Sequence, residues 1–363
     1  MSDTFPIRGW DHVELYVGNA RQAAHYYDKT FGFRPLAKAG LETGVRDRAS
    51  YVLEQGNVRL ALTSALTPDH EIARHCCLHG DGVKAVALEV GDVETAMRAL
   101  KQRGATVLQP AQAFEDEHGA LKTGVVKYAG DTVFKLVERT HYRGVFAPGY
   151  KALEGVRGAA PTGLAAIDHI VTNVYLGEMN YWVAWFERMM GFTQLTHFTD
   201  EDISTEYSAL MSKVMENGSG KIKLPINEPA EGKKKSQIDE YLDYYQGPGV
   251  QHIAMNTRDI CATVRALRER DVDFLRVPDT YYADLKQRVG EIDEDYAELK
   301  ELGVLVDRDE DGYLLQIFTA PVQDRPTLFF EVIERHGCRG FGQGNFKALF
   351  VSLEREQAKR GNL

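Results

Sequence analysis

No stretch of this chain approaches the ~20 consecutive apolar residues that a membrane-spanning helix needs, so no membrane span is expected. Cysteine is scarce. Cys76, Cys77, Cys261 and Cys338 are the whole complement of 363 residues, and no two stand in a CxxC pair. That excludes a disulfide framework and leaves reduced thiols as the expected state. Positive charge is also short: 43 Lys and Arg against 53 Asp and Glu give a net charge of -10. Such a balance argues against nucleic acid as the main partner, and Lys233-Lys234-Lys235 reads as a solvated loop. The start Met1-Ser2-Asp3-Thr4-Phe5-Pro6 lacks a basic segment followed by an apolar one, so a cytoplasmic location is expected.

What the chain does have is the composition of a globular protein, 44% hydrophobic and 26% charged, at a length that suggests two domains. It also repeats itself. Asp11-His12-Val13-Glu14-Leu15-Tyr16-Val17 reads as a strand, followed by a helix that Asn19 can cap and that stops near Gly32-Phe33. Asp168-His169-Ile170-Val171 leads in the same way to a helical segment ending at Gly191-Phe192. Gly82-Val83-Lys84-Ala85-Val86-Ala87 parallels Gly249-Val250-Gln251-His252-Ile253-Ala254, each before a helix capped by an aspartate, Asp92 or Asp259. Val133-Phe134-Lys135-Leu136-Val137-Glu138-Arg139 parallels Phe329-Phe330-Glu331-Val332-Ile333-Glu334-Arg335. The halves are related throughout, with four βα-type modules in all. Residues 141 to 166, rich in glycine and proline without periodicity, read as the linker, and the boundary is put at 155/156.

Strand alternation in Phe329 to Ile333 puts Glu331 on an apolar face, where a carboxylate must be protonated, paired or bound to a metal. His169 and His252 each stand mid-strand. A lone strand histidine is more often a hydrogen-bonded core residue than a ligand. Two neutral imidazoles and a carboxylate on three strands, however, make a facial set suited to non-haem Fe(II). Laying one half on the other sets His12 against His169, Ala85 against His252 and Lys135 against Glu331. Alanine cannot ligate and an ammonium repels a cation, so only the C-terminal half keeps a complete set.

Elsewhere, Glu206 to Leu210 and Lys221 to Asn227 read as strands, and Ser236-Gln237-Ile238-Asp239 as a capping box. Asp307-Arg308-Asp309-Glu310-Asp311-Gly312 imitates the start of a calcium loop but meets Phe318 where Glu belongs. It reads instead as a turn between strands at Val304 to Val306 and Tyr313 to Thr319. The glycine-rich Gly337 to Phe346 lacks the strand-to-helix setting of a phosphate cradle. The helix after it, Lys347 to Lys359, has Leu349, Phe350 and Leu353 on its apolar side and is either a packed terminal helix or a cover over the site.

Several of these motifs are similar to signatures of the 4-hydroxyphenylpyruvate dioxygenase family of the vicinal oxygen chelate superfamily. They are Ile167-Asp168-His169, Leu224-Pro225-Ile226-Asn227-Glu228-Pro229, Lys235-Ser236-Gln237-Ile238, Gly249-Val250-Gln251-His252, Leu314-Leu315-Gln316-Ile317-Phe318-Thr319, Phe329-Phe330-Glu331 and Gly344-Asn345-Phe346. The resemblance covers nearly the whole chain. It implies an α+β fold of two related domains, 1–155 and 156–363, each a pair of βαβββ modules forming an open barrel-like sheet, with a C-terminal helix. It implies His169, His252 and Glu331 as Fe(II) ligands, and a substrate pocket lined by Ser208, Asn227, Gln237, Gln251, Gln316, Phe318, Phe329, Phe341, Asn345 and Phe346. Ser208, Asn227, Gln251 and Gln316 are the residues it brings closest to the chemistry. The implied reaction converts 4-hydroxyphenylpyruvate and O2 to homogentisate and CO2, in tyrosine catabolism, by oxidative decarboxylation, ring hydroxylation and side-chain migration. A homodimer or homotetramer is the implied assembly. Two alternatives remain. Hydroxymandelate synthases take the same substrate with the same ligands but have an apolar residue where this chain has Asn227. A non-catalytic ligand-binding protein of the same fold is the other.

Overall fold

The computed structural model describes residues 3–198, 209–230 and 232–362. Among them two curled sheets form. The nine-stranded first sheet runs in space Val107–Asp116, Gly119–Lys127, Val133–Tyr142, Gly82–Val90, Ile7–Tyr16, Val58–Ala65, Arg48–Gln55, Arg34–Ala39, Lys151–Ala152. The second has eight: Thr193–Phe198, Ala209–Glu216, Lys223–Ala230, Ala166–Asn173, Gly249–Asn256, Phe329–His336, Tyr313–Phe318, Leu305–Arg308. Both are built alike. The opening strands of two modules lie antiparallel at the centre, Ile7–Tyr16 on Gly82–Val90 and Ala166–Asn173 on Gly249–Asn256. Each pairs on its outer side, in parallel, with the last strand of its own module. The α+β reading of two related halves therefore holds.

Alternation decides what each face does. Along Phe329–His336, Phe330 and Val332 enter the main apolar core while Phe329 and Glu331 look the other way, into a cavity. The main core is shared: Tyr27 and Phe31 of the first half meet the Phe330 ring at centroid distances of 5.8 and 5.1 Å. Burying one such ring stabilises by ~1.5–3 kcal/mol. The halves share one core, and on the faces turned away from it Glu331 and Lys135 each line a cavity.

The caps read from sequence are formed. Asn19 accepts from Gln22 N at 3.1 Å, Asp92 from Thr95 N at 3.0 Å and Asp259 from Ala262 N at 2.8 Å; Ser236 and Asp239 close their reciprocal box. Two strands run beyond their sequence readings. Residues 206 to 208 lie outside the described residues, and the strand here is Ala209–Glu216, whose Leu210, Ser212 and Val214 alternate onto one face. Its neighbour runs past Asn227 through Pro229 to Ala230. Between 271 and 302 the fourth module carries the short helices Asp279–Tyr282, Leu285–Val289 and Tyr296–Leu302. The C-terminal helix starts at Gln343 and ends at Lys359. The glycine-rich segment before it is pinned rather than loose. A Cβ at Gly337 would stand 2.5 Å from Asp311 O, and one at Gly312 1.9 Å from His336 O, so two backbones touch there.

Candidate metal centre

Strand register assembles the centre. Ala254 pairs with His169 on one side and with Glu331 on the other, and His252 lies two residues along the same strand, facing the same way. The three side chains converge: His169 Nε2 is 3.2 Å and His252 Nε2 3.4 Å from the same Glu331 oxygen, Oε2. All three are buried, Glu331 being 3% exposed.

What these atoms need follows from their other hydrogen bonds. His169 Nδ1 faces Asp168 Oδ1 at 2.7 Å, and His252 Nδ1 faces the Gln251 amide oxygen at 3.0 Å. Both partners can only accept, so each Nδ1 carries a proton, and a ring in its neutral form turns an Nε2 lone pair toward a carboxylate oxygen. Three acceptors meeting in a buried place require a cation or a proton between them. Donor atoms ~3 Å apart are what bonds of ~2.1 Å at right angles to one ion give, so the set fits a divalent metal.

Arg335 fixes the arrangement from behind, with Nε and Nη2 each 2.8 Å from an Asp168 oxygen. This bidentate pair orients Asp168, which orients His169. Burial opposes the Asp168 charge, but Arg335 and His169 outweigh it and hold the carboxyl well below its usual range. Burial likewise works against a charged Glu331, yet His169 and His252 bring it down to about 2. For His169 burial pulls the pKa down, and Glu331 with Asp168 more than reverses it; for His252 burial prevails and the pKa falls.

The first half keeps this framework without the ligands. Its register matches, with Ala87 between His12 and Lys135, so Ala85 and Lys135 occupy the places of His252 and Glu331. Asp11 still holds His12 and is gripped by Arg139, and Phe146 lies edge-on to the His12 ring at 5.1 Å, as Phe341 does to His169 at 5.0 Å.

A cavity of about 610 Å³, its mouth included, opens beside the three ligand residues. Asn227, Gln237, Gln251, Gln316, Phe318, Phe329, Phe341 and Phe346 all line it, as read from the sequence. Asn345 is buried off the wall, where its amide oxygen accepts from the Tyr281 hydroxyl. Ser208 lies outside the described residues. Val171, Phe198, Leu210, Ser212, Val214, Pro225, Leu349 and Phe350 complete the wall. Of these the sequence reading had singled out only Leu349 and Phe350, as the apolar side of the last helix; Ser212 and Val214 were readable from their two-residue spacing beside Leu210. Phe329 stacks on the His252 ring at 4.8 Å and Phe318 meets it edge-on at 6.0 Å, leaving an aromatic slot with amides at its rim. Gln316 Oε1 is buried with no hydrogen-bond partner among the described residues, so it has capacity for a bound donor.

Two further clusters of possible ligands occur among the described residues. At His75, His79 and Asp131 the Lys84 ammonium is 2.7 Å from Asp131, which disfavours a metal. At Glu294, Glu334 and His336, Glu334 caps Ile260 N, as Glu138 caps Val93 N in the first half, so that carboxylate has a structural role common to both repeats.

The model of the Glyoxalase/Bleomycin resistance protein/Dioxygenase superfamily matches residues 9–122 and 166–317. The chain is 46% identical to 4-hydroxyphenylpyruvate dioxygenase of Yarrowia lipolytica, over 98% of this chain and 94% of that protein. It is 46% identical to that of Caenorhabditis elegans (98% and 93%) and 47% identical to that of Xenopus tropicalis (97% and 92%). Among solved structures, a triple mutant of 4-hydroxymandelate synthase from Streptomyces coelicolor superposes with a TM-score of 0.87 at 34% identity, covering 97% of this chain and all of that one. No helix among the described residues is long and apolar enough to cross a membrane.

Proposed function

The chain belongs to the 4-hydroxyphenylpyruvate dioxygenase family of the glyoxalase/dioxygenase superfamily, and from that premise we propose that it converts 4-hydroxyphenylpyruvate and O2 to homogentisate and CO2 with one Fe(II) per chain. The observation that carries this reading is the set of two imidazoles and one carboxylate, each buried, facing one point at the end of an aromatic cavity. Residues 156–363 are the catalytic unit in this reading, and 1–155 a related unit without a complete ligand set.

His169, His252 and Glu331 would hold the metal, which supplies the redox chemistry and the template for the 2-oxo acid and dioxygen when bound. The residues around it do the rest. Gln251 fixes the His252 tautomer through its oxygen and donates its amide to Gln237 Oε1 at 3.3 Å, which leaves the Gln237 amide group to meet the substrate. Asn227 and Gln316 offer hydrogen bonds that orient the 2-oxo acid and the phenol. Phe318, Phe329, Phe341 and Phe346 pack on the ring and exclude water, so a reactive oxidant meets substrate rather than solvent.

The test is product analysis after incubation with 4-hydroxyphenylpyruvate, Fe(II), ascorbate and air. Homogentisate is expected. Hydroxymandelate would assign the chain to the chemistry of its 34% identical neighbour, and no product would leave a binding protein.

A further inference from the structure

The turn Asp307 to Gly312, which has no part in the site, is tied to the segment that closes it. We propose that Asp309 is the positioning residue of the cover: its carboxylate holds Cys338 to Gly340 in place, so that Phe341 stands against the His169 ring and the last helix walls the cavity. The proposal rests on the reading above and deepens it, since it names what fixes the cover.

One carboxylate gathers five donors. Asp309 Oδ2 accepts from the Cys338 thiol, Arg339 N and Gly340 N, each at 2.9 Å, and Oδ1 accepts from Asp311 N at 2.9 Å and Gly312 N at 3.0 Å. The carbonyls of the same segment go the other way: Arg335 Nη1 donates to Cys338 O at 3.2 Å and Gly340 O at 2.6 Å. The segment 338–340 is thus held through one thiol and two N–H groups by an anion and through two carbonyls by a cation. That cation also grips Asp168, and its guanidinium lies 5.4 Å from the Phe341 ring. The line from Asp309 through the strap and Arg335 to Asp168 and His169 is therefore continuous. Asp307 adds a second tie, accepting from Gly344 N at 3.0 Å as the helix begins. The backbone contact at Gly312 and Gly337 makes the two segments one packed unit, so the glycines serve close approach rather than hinge freedom.

Charge at both ends agrees. Burial opposes ionisation of Asp309, but the Cys338 thiol and the backbone N–H groups bring its pKa down to about 2. Burial first, then Asp309, push the Cys338 thiol up to about 12.

The experiment compares wild type with Asp309→Ala, Asp309→Asn and, as a control on the same turn, the exposed Glu310→Ala. Two quantities are read: the rate at which iodoacetamide alkylates Cys338, followed by peptide mass spectrometry, and homogentisate formed per dioxygen consumed together with kcat and KM. In Asp309→Ala the thiol should be freed and label at least about 10-fold faster, one pKa unit of thiolate. kcat should fall about 10- to 100-fold, the scale of a misplacement near 1 Å, with KM and metal content nearly unchanged. Coupling to homogentisate should drop as well. Asp309→Asn, which keeps an acceptor oxygen, should recover part of both, and it carries the comparison if the alanine variant does not fold. Glu310→Ala should match wild type. Unchanged Cys338 labelling, or wild-type kcat and coupling in a variant whose Cys338 labels fast, overturns the proposal. A wild-type protein that makes no homogentisate defeats the functional reading instead, while the labelling comparison still decides whether Asp309 is the clamp.

Discussion

His252 and Asn227 face the same cavity with different work, and a pair of substitutions separates them. His252 is held at Nδ1 by Gln251, stacked on Phe329, and directed at Glu331 by Nε2. Removing the ring takes one of the three proposed ligands and leaves Glu331 with a single imidazole. Metal analysis of the wild-type chain should give one equivalent, and His252→Ala should give essentially none. Two equivalents in wild type would mean that one of the other clusters, His75 with His79 and Asp131 or Glu294 with Glu334 and His336, also binds. Asn227, by contrast, lines the cavity wall, where its side-chain amide donates to Asn173 Oδ1 at 3.5 Å. Asn227→Ile should keep the metal equivalent yet lose a substrate hydrogen bond. The cost is ~1–3 kcal/mol of orientation, seen as slower homogentisate formation or a share of hydroxymandelate. Unaltered homogentisate kinetics would remove Asn227 from the substrate site. That His169, His252 and Glu331 come together was legible in sequence because strand alternation puts Glu331 on an apolar face and the other half carries Ala85 and Lys135 at the matching places. Asp168 and Arg335 stood in the quoted motifs, but their bidentate pairing spans 167 positions and needs the fold.

At the scale of elements, the helix Gln237–Tyr245 shows how a local signal reaches the site. Ser236 is 1% exposed and accepts from Asp239 N at 3.2 Å, while the Asp239 carboxylate accepts from Ser236 N at 2.9 Å. The first residue of this helix is Gln237, on the cavity wall. Ser236→Ala should lower stability by ~1 kcal/mol, measured by the urea midpoint, and raise KM through a less fixed Gln237. A lowered midpoint with unchanged KM would confine the cap to stability. Caps of this kind were readable because donor and acceptor lie three residues apart. The reading Glu206 to Leu210 overlaps the strand Ala209–Glu216 and stops short of it, since Ser212 and Val214 take their places opposite Asn227 and Pro225 on another strand. The role of Asp309 was hidden for the same reason. Its sequence looks like a failed calcium loop, and the backbone it binds lies about 30 residues on.

Over the whole molecule, the half that carries Ala85 and Lys135 has structural work to do. Its strands and helices supply one side of the shared core, and its helix Glu71–His79 packs on the helix that carries Gln237. His79 stacks on the Tyr245 ring at 4.5 Å, and Tyr245 on Tyr241 at 5.1 Å. His79 in turn packs on His75, whose Nδ1 meets Asp131 Oδ2 at 2.5 Å, while Lys84 donates to Asp131 Oδ1 at 2.7 Å. Burial works against the Asp131 charge, but His75 and Lys84 prevail and bring its pKa to about 2 from the ordinary 3.8. A group whose folded pKa is depressed adds stability that is complete above its unfolded pKa and is lost as pH falls through the folded one. Asp131→Asn should therefore melt below wild type at pH 7, and the gap should narrow between about pH 4 and pH 2 as the wild-type carboxyl takes up its proton. Asp131 is 38% exposed at its side chain, so solvent screens the pair and the gap at pH 7 should be modest. Melting curves of both proteins at several pH values across that window check this. A gap of equal size at pH 7 and at pH 2 would assign the effect to shape and hydrogen bonding rather than charge. The contact between the halves would then rest on the shared apolar core, the stacked rings and hydrogen bonds such as that between His79 Nδ1 and Tyr245 O, without help from the Asp131 charge.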